Sequence, residues 1–475
     1  MNNLSKAVLV ALGLVTLASC GGGGGGGGGG IAAGGTGGTG ISQGPVSGFG
    51  SVYINGVKFN TDGATATTVE DSAGTGQAGL KLGMVATVEW ERDGTTGKYR
   101  AKTIKYSDDV QGPFTVNGNG TLTVLGQTVI VDDLTVFEGD GVASVTSLAT
   151  LPAGRVVEVS GLEDNTGAIR ASRIELKEPT AGYELKGIVS GASGTTFMLG
   201  TQVVSLSGTA MLPANGACVE AKGAALNGAA LVATVVETDD SCALGGTVTA
   251  NIEVELEGYV SGFTVTGFKV NGQSVQVTPA TVYDDKGVLA TIIILLDGAR
   301  VEVEGKMTNG VLIATKVSLD PELGDRPESS IEMEIPAGLA VMATATTLTV
   351  YGMTVTVNDS TRFEDGILRD LSDIGAHPLE IDAYPDGTGA IIATRIRHKS
   401  TSTPLLQGPV SAEGVNSLTI LGVTVNTSGA VYENINDTPM TSAEFFAAVS
   451  TGTVVKAKGT VSGNIMTATE LEIED

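Results

Sequence analysis

The chain has 475 residues with 27 basic against 52 acidic side chains, a formal charge of −25, so phosphate backbones and anionic lipid headgroups are repelled and nucleic acid is not an expected partner. Gly supplies 69 residues and aromatics only 4%, yet 41% of residues are hydrophobic, a mixture that suits many short strands joined by glycine turns around small cores. The acidity reads as the solubility of an exposed surface.

At the N-terminus, Lys6 is a lone positive charge ahead of an apolar run, residues 7–16, that is too short to span a bilayer. Leu17-Ala18-Ser19-Cys20 follows and resembles the lipobox of bacterial lipoproteins. That resemblance implies a signal peptide over residues 1–19, acylation at Cys20 and, with Gly rather than Asp next, sorting to the outer membrane. Buried methylenes contribute about 0.8 kcal/mol each, so several acyl chains anchor durably where one does not. An ordinary secretory signal with an incidental Cys20 is the alternative. Ten glycines, Gly21 to Gly30, open a stretch that runs to Gly40. Residues 20–40 are expected to be a lipidated cysteine and a disordered tether with a reach of about 25 Å. The G-x-G-x-x-G match at Gly35 to Gly40 has no preceding strand and no following helix, so it carries no dinucleotide reading.

One phrase then recurs. It reads Val52-Tyr-Ile-Asn-Gly-Val-Lys-Phe59, and returns starting at Leu122, Phe197, Phe268, Leu348 and Leu418, at separations of 70, 75, 71, 80 and 70 residues. Such a period denotes small domains in series rather than a solenoid coil. The expected units are 41–109, 110–180, 183–240, 252–320, 331–400 and 404–475, with linkers at 241–251, 320–330 and 400–404. In the second unit, Val110 to Val116 is a first strand, Leu122 to Val131 a hairpin around Gly126, and Val156 to Leu176 a closing hairpin. Residues 142–151 are able to form one or two helical turns. Glycines 83, 298 and 452 begin equivalent fourth strands, and the fifth strands hold Ala at 101, 171, 233, 314, 393 and 468. A small residue recurring at one strand position marks a crowded crossing. Thr441-Ser-Ala-Glu444 is a capping box that opens a helix at Phe445, while the third unit has too few residues for one.

The expected fold is therefore all-β: a tandem array of six small five-stranded OB-like Greek-key barrels, most with a short helix between strands three and four. A six-bladed propeller is the rival and fits the helix slot poorly. The Gly-Pro-Val-Ser starts at Gly44 and Gly408, the strand–Gly–strand hairpin, the Gly-x-x-Val-Glu-Val strand and the Ala-Thr/Ser-x-Ile ending resemble repeats of a bacterial lipoprotein family, domain of unknown function 5666. The likeness spans nearly all of residues 41–475 and is loosest in the third and fifth units, where Ala376-His-Pro departs from the glycine rule. It implies location and architecture and transfers no catalytic residue.

Chemistry is sparse. His377 and His398 have no partner at metal-ligand spacing, and neither a nucleophile elbow nor a Walker lysine is present. Apart from Cys20, Cys218 and Cys242 make an even pair, expected to form a disulfide rather than a metal site. Glu158, Glu220, Glu302 and Glu380 share the outward parity of the fourth strand and read as a solvated face. The pairs Asp108-Asp109, Asp132-Asp133, Asp239-Asp240 and Asp284-Asp285 are able to hold Ca²⁺ weakly but lack an EF-hand loop, so no metal and no cofactor is expected. Aromatics cluster in the first unit, where Tyr53, Trp90 and Tyr99 are the candidate ligand face, against the alternative that Trp90 fills the core.

The expected function is that of a non-enzymatic, lipid-anchored binding or structural module of the outer membrane, facing periplasm or cell surface, with an unknown protein or glycan partner. The alternatives are a carbohydrate-binding or carbohydrate-active protein using unrecognised carboxylates, and a receptor for a small solute.

Overall fold

The computed structural model describes residues 38–474 except 50, 62, 71, 95–96, 133–134, 141–142, 144, 240, 243, 245–250, 285–296, 320–330, 345, 359–360, 364–370, 386–389 and 435–437. Cys20, the leader, residues 21–37 of the tether, most of the two longer linkers and the second members of three aspartate pairs lie outside the described residues. Thr39 and Gly40, expected in the tether, belong instead to the first strand, Thr39–Phe49.

The described chain is all-β and built of repeated sheet units. In unit 2 the strands are Val110–Val116, Thr121–Val124, Gln127–Ile130, Val156–Glu163 and Ile169–Lys177. The first pairs with the second and, over its opening half, with the fourth; the third runs parallel to the fifth; the fourth and fifth form a hairpin. The pairings thus run first–second–third–fifth–fourth–first. Units 1, 3 and 6 repeat them. In units 4 and 5 the first strand is in two pieces, Glu253–Tyr259 with Ser261–Thr264 and Ile331–Ile335 with Ala340–Thr344.

The repeated residues have local reasons. The turn between strands two and three places Asn55-Gly56, Leu125-Gly126, Asn271-Gly272, Tyr351-Gly352 and Leu421-Gly422 at positive φ in both positions, the twist that a two-residue hairpin loop requires. The leading side chain of that turn folds over the first strand. A Cβ on Gly44, Gly112, Gly258 or Gly408 would meet Asn55, Leu125, Asn271 or Leu421 within 3 Å, so the glycine in the first strand leaves room for a neighbour.

The recurring alanine marks a β-bulge. Ala101, Ala171, Ala233, Ala314, Ala393 and Ala468 are all buried and pair with Trp90, Gly161, Gly223, Gly305, Ala383 and Gly459, each next to one extra residue on the fifth strand. On its other side the fifth strand carries the third strand along its first half. Along its second half it carries an extra parallel strand not anticipated from sequence: Ala66–Val69, Val136–Glu138, Val282–Asp284, Arg362–Phe363 or Val431–Glu433. The alanine carbonyl falls in the gap between them. A threonine hydroxyl donates to it in four units: Thr65 at 3.0 Å, Thr135 at 2.7 Å, Thr281 at 2.7 Å and Thr361 at 2.8 Å. In unit 3, whose connection is short, the backbone N–H of Ser207 donates to Ala233 instead, at 2.9 Å.

Two expectations need correction. Helices are rarer than the slots suggested: among the described residues one α-helix, Ser442–Ala448, forms behind the Thr441–Glu444 capping box, and unit 2 has a 3-10 turn at Leu148–Thr150. The same connection also carries the extra strand, which in unit 1 forms a hairpin with Ser72–Thr75; residues 285–296 of unit 4 and 364–370 of unit 5 lie outside the described residues. The array is also not simply linear. The first strand of unit 1 pairs in parallel with that of unit 4, Gly40 to Gln43 against Glu253 to Leu256. The first strands of units 2 and 3, and of units 5 and 6, pair antiparallel. Each of the three sheets therefore joins two units. Leu244, expected in a linker, is buried in the core of unit 4.

Unit 1 is also locked to unit 2. Arg173 is 1% exposed; it donates to the carbonyl of Leu82 at 3.1 Å and pairs with Glu138 and Glu175. Ser172 donates to the carbonyl of Gly83, whose φ of +80 leaves no space for a side chain. Thr135→Val leaves a buried carbonyl without its donor and is expected to cost about 1–3 kcal/mol in denaturant unfolding of unit 2. A loss below about 0.5 kcal/mol, the range of neutral surface changes, would contradict that role for the hydroxyl.

Candidate functional site

Tyr53, Trp90 and Tyr99 do not form one exposed face, which corrects the ligand-face expectation. Trp90 is 1% exposed, with Phe59 at 6.5 Å and Tyr99 edge-on at 5.0 Å between ring centroids. Its indole N–H donates to the Ser42 hydroxyl at 3.1 Å, which donates in turn to Glu255 of unit 4 at 2.9 Å. A Cβ at residue 40 would lie 2.1 Å from the indole ring, so Gly40 is the space into which Trp90 fits. Tyr53 is buried, and half-buried Tyr99 carries Arg92 over its ring at 5.6 Å. Trp90 occupies the bulge position that is Gly or Ala in the other units, and that column was the sequence signal for an inward ring.

Cys218 and Cys242 are joined in a disulfide with Cα atoms 5.9 Å apart. The closed loop, with a separation of 24 residues, contributes about 3 kcal/mol in the loop-entropy account. It holds Ser241 where its carbonyl accepts from Gln43 of unit 1, at 3.3 Å. The rings of His377 and His398 meet at a tilt with centroids 4.7 Å apart, and His398 lies 3.9 Å from Asp373.

The fourth-strand glutamates are the larger surprise. Glu158, Glu220, Glu302 and Glu380 do point away from their own cores, yet all four are buried. Neighbouring chain covers the face expected to be solvated. Glu158 pairs with Lys177 at 2.6 Å and accepts from the Tyr106 hydroxyl at 3.0 Å. Glu380 pairs with Arg395, Arg397 and Lys399.

Between units 1, 2 and 3, the structure gathers carboxylates from four separate segments. Glu70 sits at φ +50 just after the extra strand of unit 1, Asp108 in the connection to unit 2, Glu184 at the head of the first strand of unit 3 and Glu220 in its fourth strand. One oxygen from each lies within 4.8 Å of the others. The turn at Glu70 closes on this connection: its N–H donates to the carbonyl of Tyr106 at 2.9 Å, and its carboxylate accepts from the Asp108 N–H at 3.0 Å. Lys222 covers one side, 3.4 Å from Glu184 and 3.0 Å from Glu220. Burial, then repulsion from Glu158, Glu220 and Glu184, pushes the Glu70 carboxyl up to about 8. Burial and the same neighbourhood raise Asp108 well above the carboxylate range. Beyond the cluster, Lys186 lies 3.2 Å from Asp109, and Asp239 accepts from the Ser107 hydroxyl at 3.0 Å. Of the four clustered acids only Asp108 and Glu220 stood out in sequence, Asp108 within an aspartate pair able to hold Ca²⁺ weakly and Glu220 as a glutamate of a solvated face. No spacing rule connects residues 70, 108, 184 and 220.

A second group, Glu332, Glu334 and Glu380, lies where units 5 and 6 join. It is compensated: Lys399 pairs with Glu334 at 2.6 Å and Glu380 at 2.8 Å, while Lys456 lies 3.9 Å from Glu332. A groove of about 360 Å³ runs along the same pair, lined by Tyr351, Met353, Leu421 and Asn464 among others.

With the geometry in hand, comparison with known proteins gives one match. The family described as domain of unknown function DUF5666 matches residues 41–105, 111–175, 257–318, 340–397 and 407–472. These are all the units but the third, which has the same pairings without the match. No curated protein and no solved structure gives a significant match.

Glu332 supplies a pH test. Burial first, then Asp382, Glu380 and Glu334, against the opposing Lys456, pushes its carboxyl up to about 7, where an unfolded glutamate titrates near about 4.3. The folded state holds the extra proton, so this contribution is complete below the unfolded value and is lost as pH rises through the folded one. Glu332→Gln is expected to lose less stability than the wild type between about pH 5 and 8, followed by thermal unfolding of both proteins. Curves that stay parallel over that range would contradict the raised carboxyl.

Proposed function

Because the chain belongs to the DUF5666 family, whose description assigns no activity, we propose a function that rests on architecture: a non-enzymatic, lipid-anchored envelope protein that serves as a binding or structural module. Its six units are read as small OB-like Greek-key barrels. The order first–second–third–fifth–fourth–first, with a parallel third and fifth strand, supports that reading. A solenoid is the rival arrangement, in which each repeat touches only its sequence neighbours. Against it stand the strand pairing of unit 1 with unit 4 and the packing of Phe49 in unit 1 on Tyr384 in unit 5, with ring centroids 5.3 Å apart.

The observation that carries the structural role is the use made of buried charge. Arg173, Glu158 and Glu380 are occupied in holding segments and units to one another, which is the work of a spacer or scaffold. The carbohydrate-binding reading drew on ring faces; with Trp90 inside the fold it gains no support from them. No described helix is long and apolar enough to cross a membrane, and the proposed anchor is acylated Cys20 in the outer membrane. Radiolabelled palmitate is expected to enter the wild type and not Cys20→Ala, with only the former sedimenting with outer membranes. Label in both proteins, or in neither, would overturn the anchor.

A further inference from the structure

Burying several carboxylates together is costly unless each oxygen finds a donor or a cation. The cluster at residues 70, 108, 184 and 220 leaves that condition unmet. Asp108 is 2% exposed, and neither of its carboxylate oxygens accepts a hydrogen bond from the chain; the same holds for Glu70 Oε2 and Glu220 Oε1. These are four buried acceptor atoms from three separate segments. Lys222 serves Glu184 and the other oxygen of Glu220, and Gln111 donates to Glu184 at 3.4 Å, so Glu184 is the best satisfied of the four. No ion pair reaches Glu70 or Asp108 among the described residues.

We propose that Glu70, Asp108, Glu184 and Glu220 form a Ca²⁺ site that ties unit 1, its connection to unit 2, and unit 3 together. The donor set is all oxygen and anionic, which suits a hard divalent cation and neither zinc nor copper. Four carboxylate oxygens within 4.8 Å of one another suit the flexible, oxygen-rich shell that Ca²⁺ accepts, whereas Mg²⁺ sheds its waters reluctantly, a poor match to a site already enclosed by side chains. Backbone structure points the ligands inward before any ion arrives: the turn at Glu70 is fixed by hydrogen bonds on both sides, and strand register carries Glu184 and Glu220 to the junction.

The site is structural in this reading, since its ligands come from unit 1, its connection to unit 2, and unit 3. Ca²⁺ binding therefore stabilises the assembly of units as any ligand of the folded state does. The test uses the full-length protein stripped with a chelator, and measures uptake of radioactive Ca²⁺ by equilibrium dialysis in physiological salt with excess Mg²⁺. One Ca²⁺ per chain is expected, together with a rise in melting temperature. Asp108→Asn and Glu70→Gln are each expected to weaken binding at least roughly tenfold and to lose the thermal shift, whereas Glu413→Gln, an exposed acid of unit 6, leaves both unchanged. Circular dichroism reports whether each variant is folded; should Asp108→Asn fail to fold, Glu70→Gln decides. No saturable uptake by the wild type, or equal uptake by the two cluster variants and Glu413→Gln, would overturn the site.

Discussion

The structure depends on the free edge of each unit's first strand. The opening half of that strand has the fourth strand on one side, and its closing half turns away to meet the second. One side of the opening half would otherwise present unpaired N–H and C=O groups to solvent, the form of edge that invites aggregation. Here another unit's first strand covers it: unit 4 on unit 1, unit 3 on unit 2, unit 6 on unit 5. Units of about 70 residues bury too little surface to be very stable alone, so a shared edge serves stability as well as solubility.

Buried charge follows from that coverage. Side chains that alternate away from a unit's own core would face water in an isolated unit, but once edges pair they face a neighbour. Hence glutamates sit under neighbouring chain, mostly matched by Lys and Arg, some of them across units: Lys81 of unit 1 pairs with Glu138 and Glu175 of unit 2 at 2.8 and 3.1 Å, and Lys456 of unit 6 lies 3.9 Å from Glu332 of unit 5. Pairs of this kind add little net stability over apolar packing but penalise a wrong partner heavily. They suit a chain of similar units that must choose which of the others to join. The acids around Asp108 are the place where such matching falls short.

Much of the unit was legible in the sequence. The period, the hairpin around the recurrent glycine, the closing hairpin and the crowded alanine column were all readable because local turn chemistry and alternation generate them. The disulfide partners followed from an even count of cysteines. Pairing between units was not legible, since nothing in tandem order hints that unit 1 joins unit 4. The glutamate parity was assigned to the right side of the strand, but whether that side is wet depends on the neighbour. The extra strand was not legible because Val136, Val282 and Val431 open runs of only three residues, whose partner is a free half-edge on the fifth strand. Trp90 was ambiguous for want of one fact, that Gly40 makes space for it across two strands.

The shared edge is most directly tested by hydrogen exchange along Glu253 to Leu256, read residue by residue. One side of this segment meets the fourth strand of unit 4 and the other the first strand of unit 1. The account predicts slow exchange at every amide of the segment. Slow exchange at alternate amides only, with fast exchange between them, would mean an uncovered edge and contradict the account.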